Sequence, residues 1–160
     1  MKDEIREMAG LTALDTIFFI ADTEKTASIY AGQIRTALGE RLDLIDQKSY
    51  KFCYINDFPM YEYDPEEKKM IFTHNPFSMP QGGLEALETK DPEDILAYQY
   101  DIVCNGVELS SGAVRNHDME IMVKAFEIAG YTEDDLKEKF GALYNAFQFG
   151  APPHAGMAPG

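Results

Sequence analysis

The chain has 160 residues, 45% of them hydrophobic, and 14 basic against 28 acidic side chains give a formal net charge of −14. That length suits one domain or parts of two and can bury about two-thirds of its unfolded surface without disulfide staples. No apolar run approaches the ~18 residues of a membrane span, the opening MKDEIREM is too charged for a secretory signal, and Cys53 and Cys104 are lone cysteines, so a cytoplasmic protein with no membrane partner is expected.

The acidic excess is net −3 over residues 1–49 and net −11 over residues 50–160, which leaves no basic stripe to neutralise phosphates. Alone, such a chain is a poor nucleic-acid binder. After Arg41 the sole arginine is Arg115, and an isolated guanidinium in an acidic segment raises the question of which anion it holds.

The first 50 residues read as helix, strand, helix. TIFFIA, residues 16–21, is a short apolar run suited to a buried strand. Glu24 to Arg41 is predicted helical, with Thr23 as N-cap and Ala27, Tyr30, Ile34 and Leu38 as a core stripe. YKFCYINDF is aromatic and β-rich, and Asp64-Pro65-Glu66-Glu67-Lys68 is a turn before KMIFTHN. NPFSMPQGG predicts a loop. AYQYDIVC, Asn105-Gly106 and VELSSGAV together predict a hairpin, since Asn-Gly between apolar-rich strands is the strongest short hairpin signal. Asp118 then caps one helix, which ends at Gly130. Thr132, with Asp135 in a weakened capping box, opens another that ends at Gly150. The tail GAPPHAGMAPG reads as loop.

A two-residue turn places Asp101, Val103, Glu108 and Ser110 on one face of that hairpin. Two carboxylates converging there repel unless a cation sits between them, and hard oxygen donors of this kind suit Mg²⁺ on phosphates. The alternative is an exposed acidic strand face. Arg115 has the wrong parity for that face, and only a bulge within Ser110-Ser111-Gly112 would turn it inward. His74, His117 and His154 have no metal-ligand spacing, which argues against zinc. Cys53 and Cys104 are expected to be packed thiols on strands. No GxxxxGK[ST], GxGxxG or GxSxG is present.

The runs THNPFSMP, AYQYDIVCNGVELSSGAVRNHD and FGAPPHAGMAPG resemble, in order and spacing, the catalytic core of bacterial-type aspartyl-tRNA synthetases, a class II family. The resemblance implies an α+β fold, with part of a class II antiparallel sheet flanked by helices over residues 50–160. Residues 1–49 would be the end of an α+β insertion domain. It implies that Asp101 and Glu108 bind Mg²⁺ around the phosphates of ATP and that Arg115 grips the aspartate side chain. It implies further that His74 lies near the amino acid, and that Gly150, Pro152, Pro153, His154 and Gly156 open the signature framing adenine.

The implied reaction is ATP-dependent formation of aspartyl-adenylate and transfer of the aspartyl group to tRNA(Asp), with tRNA(Asn) as a further acceptor, by a homodimer. Positioning and charge stabilisation carry such a reaction, so no residue here is assigned covalent chemistry. The family's usual HHPFT and GGG appear as His74-Asn75-Pro76-Phe77-Ser78 and Ser110-Ser111-Gly112. The first two class II signatures are expected upstream of Met1, and the arginine of the third after Gly160. The chain alone would therefore hold half an active site and be inactive. A non-catalytic short paralogue, or binding module, and an ammonia-dependent asparagine synthetase on the same fold are the alternatives.

Overall fold

The computed structural model describes residues 2–160. It divides into two compact units, one ending at Ser49 and the other running Tyr50–Gly160.

The first unit holds two helices, α1 (Lys2–Met8) and α2 (Glu24–Arg41). Helix α2 has the predicted bounds, and the Thr23 hydroxyl accepts from Thr26 N at 3.4 Å. Two expectations fail here. No residue of α2 is buried, so its apolar stripe is not a core stripe within this unit. Residues 16–21 are not a strand, and Phe18 and Phe19 are 57% and 70% exposed. A strand needs a hydrogen-bonding neighbour, and among the described residues this unit has none.

The second unit is an α+β arrangement. Strands β1 (Phe52–Pro59), β4 (Leu96–Cys104), β5 (Val107–Val114) and β6 (Ala155–Pro159) form one antiparallel sheet in the order β1-β4-β5-β6. Strands β2 (Tyr61–Asp64) and β3 (Lys69–Phe72) form a separate hairpin, and Asp64 Oδ1 shapes its turn by accepting from Glu66 N and Glu67 N. The β4–β5 turn is Asn105-Gly106 as expected. Both residues have positive φ, 50° and 82°, which is why this dipeptide is favoured there.

One segment read as loop, the tail, and one that the sequence leaves unassigned, residues 84–96, are ordered elements. NPFSMPQGG runs as loop into α3 (Gly83–Thr89), which a 3-10 turn, Pro92–Asp94, follows. The tail contains β6, which pairs with β5 from Ser110↔Pro159 to Val114↔Ala155. A seven-residue helix opening on two glycines, and a strand of Ala, Gly, Met and Pro, carry almost no local propensity. Tertiary contacts decide both: burial of Ala86 and Leu87 for α3, and the ladder to β5 for β6.

Helices α4 (Met119–Ile128) and α5 (Glu133–Phe147) start where capping chemistry predicts. Asp118 Oδ1 accepts from Glu120 N and Ile121 N, and the Thr132–Asp135 capping box is complete in both directions. Helix α4 serves both core clusters. Ala125 and Ala129 join Met60, Tyr61, Leu87, Ile95 and Ala97, while Met122 and Phe126 join Leu136 and Tyr144. Phe126 is the hub of the aromatic packing, with the rings of Phe72, Phe77, Tyr131 and Phe140 all within 5.9 Å of it, centroid to centroid.

Asp135 is held below the usual carboxylate range, chiefly by the Thr132 hydroxyl, and Glu133 likewise, chiefly by the Tyr144 hydroxyl and then Lys137. Depressed carboxylates lend stability that is complete above their unfolded values near pH 4 and is lost as pH falls through the lowered folded values. Acid titration followed by circular dichroism should therefore show α5 weakening below about pH 4. Thr132→Val should reduce the Asp135 share of that dependence without abolishing it, because the backbone N–H of residue 132 still donates to Asp135 Oδ2 at 2.7 Å.

Candidate functional site

The register of the β4–β5 hairpin decides what the sheet presents. Cys104 faces Val107 and Val103 faces Glu108, but Ile102 then faces Ser110 and Asp101 faces Ser111. One residue of β5, Leu109, is therefore unpaired. It is a bulge, one position earlier than the Ser110-Ser111-Gly112 stretch singled out in the sequence. Beyond it the parity of β5 reverses. Ser110, expected beside Asp101, turns away from it and is buried, 5% exposed, and Ser111 takes its place. The same reversal brings Arg115 onto the face that carries Asp101 and Glu108.

That face lines a cavity of about 520 Å³, with Asp101, Glu108, Arg115, His74 and Gly156 all on its wall. Its charges separate along β5. The carboxylate Glu108 lies near the hairpin end and the guanidinium Arg115 lies just past the strand's far end. Arg115 is half-buried, and its backbone is pinned by its N–H donating to the His154 carbonyl at 2.9 Å and by a bridge to Ser78. Among the described residues, no carboxylate lies within ion-pair distance of the Arg115 guanidinium. His74 is exposed and packs edge-on against Phe58, with ring centroids 4.8 Å apart.

Of the tail residues assigned to the site, only Gly156 reaches the cavity. Gly150, at φ 89°, follows the end of α5, and Pro152 and Pro153 lie outside the wall. His154 is also outside it. Its Nδ1 donates to the Pro152 carbonyl at 2.8 Å, and it borders a separate cleft with Phe77, Leu143 and Phe147. Cys53, expected to be packed, is exposed on the edge strand β1, while Cys104 is buried.

Phe58 and Gln99 line the cavity without having been singled out in the sequence, and Ser111, named there only as part of a possible bulge, lines it too. Asn75 shapes the loop after His74: its Oδ1 accepts from Phe77 N at 2.9 Å. Only the period-two count backwards from Asp101 could have pointed to Gln99.

Gly112 joins β6 to this wall. The Tyr100 ring packs over it, and the Tyr100 hydroxyl donates to the Gly156 carbonyl at 3.1 Å. A Cβ on Gly112 would run into that ring and lie 2.7 Å from the Gly156 oxygen. Gly112→Ala should therefore cost about 1–3 kcal/mol through overpacking. Urea denaturation would measure the loss, and faster amide exchange in β6 would place it there.

The family model for class II tRNA synthetases (D, K and N) matches residues 2–160. The chain belongs to this family. Among its relatives, the aspartate–tRNA(Asp/Asn) ligase of Ehrlichia ruminantium (strain Gardel) is 58% identical over 158 residues, 99% of this chain and 27% of that protein. The enzyme of the same description from Zymomonas mobilis is 64% identical over 151 residues, 94% of this chain and 25% of that protein. The solved aspartyl-tRNA synthetase of Entamoeba histolytica aligns with 99% of this chain and 26% of its own, at 22% identity and a TM-score of 0.47. The chain thus spans about a quarter of the length of the curated relatives it matches.

Proposed function

We propose that this chain is part of an aspartate–tRNA ligase acting on tRNA(Asp) and tRNA(Asn). In the first step a carboxylate oxygen of aspartate attacks the α-phosphorus of ATP, giving aspartyl-adenylate and releasing pyrophosphate. In the second a hydroxyl of the tRNA terminal ribose attacks the aspartyl carbonyl and AMP leaves. The observation that carries the reading is Arg115, a half-buried guanidinium on a cavity wall with no carboxylate of the described residues paired to it. Its planar fork suits the two oxygens of a carboxylate and not the NH₂ edge of an amide. His74 borders the same space.

Asp101 and Glu108 supply two hard oxygen donors on one wall, and no cluster of three or more metal-ligating side chains occurs among the described residues. That set fits Mg²⁺ shared with a nucleotide, since Mg²⁺ takes one or two carboxylates and completes its shell with water and phosphate oxygens. When bound, the ion would neutralise phosphate charge. The protein's own part is to hold the carboxylates at the hairpin end, the guanidinium at the other end of β5, and the nucleotide between them against Gly156. Residues 1–49 are assigned to the end of an insertion domain and residues 50–160 to part of the catalytic domain of a cytoplasmic homodimer. No helix of the described residues is long and apolar enough to cross a membrane.

The test grafts this segment into the Ehrlichia ruminantium ligase in place of its matching residues. Aspartate-dependent ATP–pyrophosphate exchange, with none for asparagine, is the expected result. A folded dimeric chimera without exchange would refute the assignment.

A further inference from the structure

We propose that Gln99 is a positioning residue that sets the spacing between His74 and Arg115; the inference rests on the aspartate-activating reading above. Gln99 sits on β4 two residues before Asp101, on the cavity wall, yet is only 6% exposed. A buried amide needs partners, and both of its N–H groups have one. Nε2 donates to Ser78 Oγ at 2.8 Å and to the Asn75 carbonyl at 3.1 Å. Both acceptors belong to the turn that directly follows His74.

That turn is stiff. The Asn75 carbonyl also accepts from Ser78 N at 3.2 Å, while Asn75 Oδ1 holds Phe77 N. Ser78, fully buried, bridges to Arg115 through the backbone, and Met79 N donates to the Val114 carbonyl at 2.8 Å. One amide therefore braces the turn after His74 against β4, beside the backbone bonds that join the same turn to Val114 and Arg115. Removing it strands the Ser78 hydroxyl in a site closed to water and leaves the His74 end of the turn without its side-chain brace, held only by the backbone bonds at Ser78 and Met79, so its spacing from Arg115 loosens. Asp101 and Glu108 take no hydrogen bond from this brace, so the nucleotide end of the cavity is an internal control.

In the grafted ligase, Gln99→Met keeps side-chain volume and deletes both donors. It should raise KM for aspartate about tenfold or more, since small misplacements of binding groups have effects of that order, while KM for ATP stays within about twofold. Ser78→Ala added to Gln99→Met should change the aspartate KM little further, because both act through one hydrogen bond. An unchanged aspartate KM, or aspartate and ATP KM values rising in parallel, overturns the proposal. A wild-type graft without exchange overturns the functional reading instead. The brace then still stands or falls on hydrogen exchange in the 160-residue chain. Gln99→Met should speed exchange of the Phe77 and Ser78 amides at least about tenfold and leave α5 unchanged. Equal exchange in the two proteins refutes the brace.

Discussion

Replacing Arg115 by lysine in a full-length ligase carrying this segment should lower kcat/KM for aspartate by roughly 30- to 1000-fold, about 2–4 kcal/mol of transition-state binding. Lysine keeps the charge, but as a point donor it cannot hold both oxygens of one carboxylate. Discrimination against asparagine should weaken with it, because the fork is what an amide fails to match. The structure sharpens this expectation. The backbone at this position is fixed by the His154 carbonyl and Ser78, so a shorter-reaching head group cannot be compensated by a shift of the strand end. Steady-state kinetics with both amino acids read the result. An unchanged aspartate efficiency would show that Arg115 is a solvated arginine of no special role.

Phe126→Ala should unfold the second unit more readily than any surface change, costing about 3–5 kcal/mol. Phe126 is 3% exposed, and the four rings around it come from β3, the loop before Ser78, the α4–α5 turn and α5. Those four elements cannot all collapse into one void, because each is tied elsewhere by backbone hydrogen bonds. Denaturant melts of the 160-residue chain followed by far-ultraviolet circular dichroism measure the loss. A loss under 1 kcal/mol would mean that the aromatic cluster does not hold α4 and α5 to the rest. Phe126→Leu, which keeps most of the apolar volume, should retain much of the stability.

What could be read from the sequence was local chemistry. Asp118 and Thr132 mark helix starts because each side chain caps amides only two or three residues away, and Asn105-Gly106 marks a turn because few other pairs accept two positive φ values. What could not be read depended on distant partners. The bulge at Leu109 has no glycine to announce it, and it alone decides that Ser111 and Arg115, not Ser110, share a face with Asp101. TIFFIA has a strand's composition, but composition does not say whether a neighbouring strand exists. Gln99 reads as a surface amide until its partners, 21 and 24 residues away in the chain, are in place. The site residues carried by family resemblance meet at the cavity where strands position them. Four of the five tail residues, held by the α5 end and its own turn, do not.

The outer side of β1 bears on how the protein behaves in concentrated solution. Seven of its eight residues are exposed, Phe52 and Tyr54 by 66% each, and Asp57 is its one charged side chain. Unpaired strand edges of this kind template pairing with a second chain, and lysines or an interior proline that would discourage it are missing. What opposes pairing is long-range repulsion from a net charge of −14. That repulsion is a property of the buffer as much as of the protein. The screening length contracts from about 30 Å at 0.01 M salt to about 3 Å at 1 M, whereas the edge's hydrogen bonds and apolar side chains are barely screened. Colloidal stability should accordingly fall as sodium chloride is added, the reverse of the salting-in common for proteins near neutrality. The second virial coefficient should pass from positive to negative along the salt series, while a lysine at Tyr54 should keep it positive throughout.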